Sequence, residues 1–209
     1  MFLDGLCFIT DRKVSRLSHE EMVVRALKAG IKWIQFRYKD GSRRETYKES
    51  GSLRNITNDF NAIFIINDHP DIALSVHANG VHLGQDDLPL KEARKIMGNG
   101  KLIGVSTHNL DQALDAERNG ADYIGFGPVF DTVTKDAGDP KGVHMLREIK
   151  NRVHIPVVAI GGINLENVKS VFDAGTDAVA VASAILSGDI GYNARRFLDI
   201  IRLYRTEDT

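Results

Sequence analysis

One cysteine and one tryptophan among 209 residues deny this chain several common structural devices. The lone thiol, Cys7, sits in the apolar run Leu6–Thr10 and can make no intrachain disulfide. That excludes a disulfide-built scaffold and favours a reducing compartment, with Cys7 expected as a buried, inert side chain. No apolar run approaches the ~18 residues of a membrane helix. Asp4, Asp11, Arg12 and Lys13 interrupt the amino terminus where a signal peptide would need its apolar stretch. A cytoplasmic location without a membrane partner is therefore expected. An excess of either charge is also missing, because 27 basic side chains face 28 acidic ones for a formal net charge of -1. Nucleic acid is not an expected partner, and an anion must be held by a local arrangement. There is no Ser/Pro-rich linker or charge block, which points to a single domain over residues 1–209.

What the chain does have is a repeated strand-then-helix pattern carried by 43% hydrophobic residues. Leu6–Thr10 reads as a strand, and a helix follows in which Ser18 caps and Glu21 completes a capping box. Gly30 stops it. Strands are expected at Trp33–Arg37, Ile63–Ile66, Val81–Gly84, Leu102–Ser106, Tyr123–Gly127, Val157–Ile160 and Ala178–Val181. Between and after them, helices are expected at Arg43–Phe60, Asp71–His77, Leu90–Met97, Leu110–Asn119, Val143–Arg152, Leu165–Ala174 and Ala194–Tyr204. The second helix is the least convincing, with Gly51 and a polar run from Asn55 to Asn61. Ala29-Gly30, Asn119-Gly120 and Ala174-Gly175 resemble one carboxyl-terminal capping device used three times. Eight such units predict an α/β fold, a (β/α)8 TIM barrel. An open doubly wound sheet is disfavoured because no GxGxxG loop follows the first strand.

In a barrel, chemistry gathers at the carboxyl ends of the strands, and several of these ends are chemically loaded. Gln35, Arg37 and Lys39 alternate after the second strand; Arg37 can fork two phosphate oxygens while Lys39 adds a point charge. Asn67-Asp68 ends the third strand and Gly84-Gln85-Asp86-Asp87 the fourth. Neighbouring strands lie ~4.8 Å apart, so carboxylates from these two ends can meet on one hard cation, for which magnesium is the expected choice. Each aspartate alone could equally cap the helix that follows it, near Pro70 or Pro89. Ser106 closes the fifth strand, and His108 beside it is a weak candidate for moving a proton. The segment Tyr123 to Lys135 couples a buried strand to Thr132, Thr134 and Lys135, two hydroxyls and an ammonium suited to a phosphate. Gly161-Gly162 and Ala182-Ser183, after the seventh and eighth strands, offer backbone N–H groups to an anion. No Ser/His/Asp nucleophile is discernible.

Gln35-Phe-Arg-Tyr-Lys39, Ile66-Asn-Asp68, Gly80-Val-His-Leu-Gly-Gln-Asp-Asp87, Gly104-Val-Ser-Thr-His108, Gly125-Phe-Gly-Pro-Val-Phe130, Thr132-Val-Thr-Lys135 and Ile160-Gly-Gly-Ile163 span the chain. In combination they resemble the thiamine phosphate synthase family. The resemblance implies a barrel transferase that joins a hydroxymethylpyrimidine, supplied as its diphosphate, to a thiazole phosphate and releases diphosphate. It further implies that Gln35, Phe36, Arg37, Tyr38, Lys39, Asn67, Ser106 and Lys135 hold the pyrimidine diphosphate, and that Asp68 and Asp87 hold Mg2+. Thr132, Val133, Thr134, Gly162, Ala182 and Ser183 would receive the thiazole phosphate. Arg37, Lys39, Ser106 and Lys135 would carry the catalysis. A thiazole tautomerase of the same barrel group is the first alternative, disfavoured because the diphosphate grip looks complete and Pro128 stands where those relatives commonly have histidine. A non-catalytic phosphate-binding barrel is the second, though it would not need two aspartates. The 131–142 loop is an expected lid, and a homo-oligomer is a further expectation.

Overall fold

Eight short parallel strands close on one another in chain order: β1 (Gly5–Ile9), β2 (Trp33–Phe36), β3 (Ile63–Asn67), β4 (Gly80–Leu83), β5 (Leu102–Thr107), β6 (Tyr123–Phe126), β7 (Val157–Ile160) and β8 (Ala178–Val181). β8 pairs back to β1, with Cys7 opposite Ala180, so the sheet has no free edge. This computed structural model describes residues 5–132 and 138–207. The helices between strands are α1 (His19–Lys28), α2 (Arg43–Asp59), α3 (Pro70–Ser75), α4 (Leu90–Met97), α5 (Leu110–Arg118), α6 (Gly142–Arg152) and α7 (Val168–Asp173). After β8 come a single turn, α8 (Ser183–Leu186), and the long α9 (Ile190–Glu207).

The strands read as continuous apolar runs because both of their faces are covered. Outward residues such as Phe8, Ile34, Phe64, Val81 and Phe126 pack under the helices. Inward residues Cys7, Ile9, Trp33, Ile65, Tyr123, Val158, Ala178 and Ala180 fill the lower barrel. Glycines make room for two of the rings inside the barrel. Gly104 leaves the space occupied by the Tyr123 ring, and a Cβ on Gly125 would stand 3.0 Å from the His82 imidazole. Burial pushes the Cys7 thiol well up, consistent with an inert core side chain.

The expected helices form with small shifts at their ends. Ser18 caps α1 with the Glu21 capping box, and Ser42 does the same for α2 with Glu45. That second cap, and the burial of Thr46, Ser50, Leu53 and Thr57, holds α2 as one unbroken helix in spite of Gly51. Gly30, Gly120 and Gly175 all have positive φ, as the repeated capping device requires. The seventh helix begins later than its sequence indicates: Asn164 and Asn167 engage the backbone in a local turn first.

Candidate active site

Above the apolar layer, the barrel interior turns polar. Gln35 and Asn67, at inward positions of β2 and β3, join through Gln35 Nε2, which donates to Asn67 Oδ1 at 2.7 Å. On the adjoining strand β4, His82, paired in register with Asn67, bridges Ser106 Oγ (2.9 Å from Nε2) and the Tyr123 hydroxyl (3.1 Å from Nδ1). Burial holds the His82 imidazole down at about 4, slightly offset by Asp68, so at neutral pH it is uncharged, with one nitrogen donating and the other accepting.

Asp68 and Asp87 come together at the mouth. Asp68, held at φ 68° after β3, receives hydrogen bonds from the Asn67 amide and from Lys39 Nζ at 3.0 Å. Asp87 accepts from the Gly84 N–H at 2.6 Å, and the two carboxyl groups share a hydrogen bond. Burial raises the Asp68 carboxyl, but its bonds from Asp87, Lys39 and Asn67 outweigh this and leave it below its ordinary value. For Asp87 burial dominates; with the proximity of Asp68 it outweighs the Gly84 bond and Lys39 and raises the carboxyl. Two neighbouring carboxyl groups of this kind fit a divalent cation. Neither aspartate caps a helix, since α3 begins after His69 without a side-chain cap and α4 begins after Pro89. Among the described residues there is no group of three acidic, histidine or cysteine side chains able to hold a metal unaided. A cation here must complete its shell with water and ligand oxygens, which suits magnesium.

Arg37 takes a different direction from Lys39. Its Nη1 pairs with Asp11 Oδ2 at 3.0 Å, and its main-chain N–H donates to Thr10 Oγ1 at 3.0 Å. Together with Thr132, Gly161, Gly162, Ile163, Ala182 and Ser183, Arg37 and Asp11 line a cavity of about 100 Å³. A neighbouring recess of about 250 Å³ is lined by Arg12, Lys13, Arg37, Tyr38 and Lys39 with Asp11 and Asp40. Arg37 therefore stands on the boundary between two anion-sized spaces. The larger cavity between α4 and α5, about 680 Å³, reaches the β4 exit at Gly84, Gln85 and Asp87 but has only Lys91 and Arg118 as cations.

The Gly161-Gly162 turn exists because another loop rests on it. Val129 N–H donates to Ile160 O at 2.9 Å and Phe130 N–H to Gly161 O at 3.1 Å. A Cβ on Gly162 would collide with the Asp131 carbonyl, and its φ is 66°. His108 braces the same loop through Nδ1, 2.6 Å from the Gly127 carbonyl, which gives it a structural use at that nitrogen.

The structure thus brings together Gln35, Lys39, Asn67, Asp68 and Asp87 on one arc of the mouth and Arg37, Thr132, Gly162, Ala182 and Ser183 on another, with Ser106 between them inside the barrel. The Phe36 ring is a correction to the expected binding set. It is 1% exposed in the layer beneath the helices, because β2 turns alternate side chains outward, and only its main chain can reach the mouth. Val133, Thr134 and Lys135 lie outside the described residues, as does much of the expected lid. Sequence reasoning passed over His82 and Asp11. His82 is a polar residue at an inward position of an apolar strand, two places after Gly80, and Asp11 is the second residue after β1, so the periodicity and the strand-end rule could have found both.

A family model described as thiamine monophosphate synthase matches residues 6–185. The chain belongs to the thiamine monophosphate synthase family. It is 46% identical over 196 residues to the thiamine-phosphate synthase of Methanosarcina mazei, covering 93% of this chain and 81% of that protein. With the Clostridium acetobutylicum thiamine-phosphate synthase it shares 43% identity over 206 residues, 97% of each. The solved thiamine phosphate pyrophosphorylase of Pyrococcus furiosus superposes with a TM-score of 0.90 at 40% identity, covering 96% of both chains. Membership of this thiamine monophosphate synthase family makes the protein a transferase of thiamine biosynthesis, with thiamine-phosphate synthase activity.

Proposed function

We propose that the mouth of the barrel binds hydroxymethylpyrimidine diphosphate on the arc of Gln35, Lys39, Asn67, Asp68 and Asp87 and thiazole phosphate on the arc of Thr132, Gly162, Ala182 and Ser183. The convergence of Asp68 and Asp87 beside Lys39 is the observation that carries this reading. The bond that breaks joins the pyrimidine methylene carbon to the diphosphate oxygen, whose electron pair leaves with diphosphate. The methylene cation is then captured by the thiazole nitrogen. Lys39 and Arg37 stabilise charge as it builds on the leaving group, and Lys135 is assigned to the same task. Bound at Asp68 and Asp87, Mg2+ would neutralise the diphosphate oxygens. Gln35 and Asn67 orient each other as a donor and acceptor pair facing the pyrimidine, and Ser106, tied to neutral His82, holds the ring's polar edge. No protein nucleophile is required, and positioning in a site shielded from water governs the second step. A cytoplasmic location and association of copies belong to the same proposal.

The test is production of thiamine phosphate from the paired substrates, measured with and without magnesium. Stoichiometric diphosphate that appears only with both substrates and metal supports the reading. Conversion of the thiazole phosphate alone to an isomer would replace it with tautomerisation.

A further inference from the structure

The exit of β2 carries Gln35, Arg37 and Lys39, and what fixes that exit lies behind it, outside the mouth. His19, the first residue of α1, is 1% exposed, and its Nδ1 is hydrogen-bonded to Glu49 of α2. The imidazole meets the Phe36 and Tyr38 rings edge-on, both with centroids 4.8 Å away, and lies beside the Arg37 main chain. Arg12, from the loop after β1, stands 3.9 Å from Glu49 Oε1, donates to the Tyr38 hydroxyl at 3.4 Å and lies over the Tyr38 ring. The α1, α2 and β2-exit segments therefore meet at one imidazole, and the loop after β1 joins them through Glu49 and Tyr38, with the substrate-facing side chains in front. Burial lowers the His19 imidazole from its ordinary value despite the Glu49 bond, so the neutral ring donates from Nδ1 to the carboxylate.

A buried imidazole is a poor device for stability alone, because an apolar side chain of similar volume would avoid desolvating it, and its partner Glu49 is partly exposed, where an ion pair or hydrogen bond contributes little. What the pair adds is direction. The Glu49 bond sets the plane of the ring, and the plane sets where Phe36 and Tyr38 can sit. We propose that His19 and Glu49 form a clamp that positions the Gln35–Lys39 segment for the pyrimidine diphosphate, acting through Phe36 and Tyr38 without touching substrate. This rests on the substrate assignment above, and it deepens that assignment by adding two positioning residues.

The experiment uses the full chain with Glu49→Ala, Glu49→Gln and His19→Ala. The glutamine variant retains an acceptor for Nδ1–H and is expected within about twofold of the parent in every measurement, since the ring plane is kept. The two alanine variants are expected to raise KM for hydroxymethylpyrimidine diphosphate about tenfold and leave KM for thiazole phosphate within about twofold, as misplacement of one binding segment would. Amide hydrogen exchange over residues 36–40, including the Arg37 N–H held by Thr10, is expected to quicken at least about tenfold in Glu49→Ala while β7 and β8 are unchanged. Unchanged exchange there overturns the clamp, as do equal rises in both KM values or failure of Glu49→Gln to preserve the parent's behaviour. Should the parent make no thiamine phosphate while exchange still responds as stated, the substrate assignment fails and the clamp stands.

Discussion

Asp68 shows how one residue can be read two ways until its neighbours are placed. Alone before Pro70 it resembles a helix cap; in the fold it turns at positive φ toward Asp87 and Lys39 and caps nothing. Asparagine tolerates the same left-handed backbone, so Asp68→Asn is a clean removal of charge. Apparent magnesium affinity in the synthesis assay is expected to weaken at least roughly tenfold, as disturbed metal sites do. Thermal stability without metal should fall slightly, because Lys39 loses its carboxylate partner, a loss partly offset as Asp87 then faces an amide in place of a second acid. A metal titration that superposes on the parent's would remove Asp68 from the site. The residues most legible in the sequence were those at strand ends, where an apolar run stops at a charge. Asp11 and His82 were less legible because their use depends on partners 26 and 24 residues away, Arg37 and Ser106.

Elements were legible wherever a cap or a period marked them, and less so where tertiary contacts decide. Gly51 illustrates the second case: a glycine in a polar stretch weakens a helix, yet α2 continues because Ser42 caps it and Leu53 is buried. A Cβ on Gly51 would meet nothing within 4 Å. Gly51→Ala is therefore expected to stabilise the protein by about 0.5–1 kcal/mol, the ordinary alanine gain in a helix. Gly162 is the opposite case, with φ 66° and the Asp131 carbonyl and Phe130 Cβ in the place a side chain would take. Gly162→Ala should cost about 1–3 kcal/mol for the backbone conformation alone. It should also raise KM for thiazole phosphate more than KM for the pyrimidine diphosphate, because the loop displaced is the one carrying Thr132. Paired denaturant melts of the two variants check both signs. The single turn α8 was not legible, since its four residues are too few to show a period.

At the scale of the whole molecule, eight repeats of strand and helix made the closed barrel readable, since the architecture follows from alternation and length more than from any single side chain. The polar layer inside that barrel adds a property of the global fold that composition does not reveal. His82 is buried between Ser106 and Tyr123 and stays neutral down to about pH 4, whereas in the unfolded chain it would protonate near 6.5. The unfolded state then binds more protons between those values, so stability rises with pH across that window and is lost as pH falls from 6.5 toward 4. The gap corresponds to about 3 kcal/mol, each pH unit being worth about 1.4 kcal/mol. His19, also lowered, acts with the same sign below its ordinary 6.5, while Asp87, raised, acts with the opposite sign. A difference measurement separates them: His82→Gln keeps a hydrogen-bonding side chain between Ser106 and Tyr123 but cannot titrate. Urea melts from pH 7 to pH 4 should show the parent losing stability more steeply than His82→Gln, the two curves converging as pH falls. Parallel curves over that range would mean that His82 accepts its proton inside the folded barrel, and that the enclosed layer is open to charge.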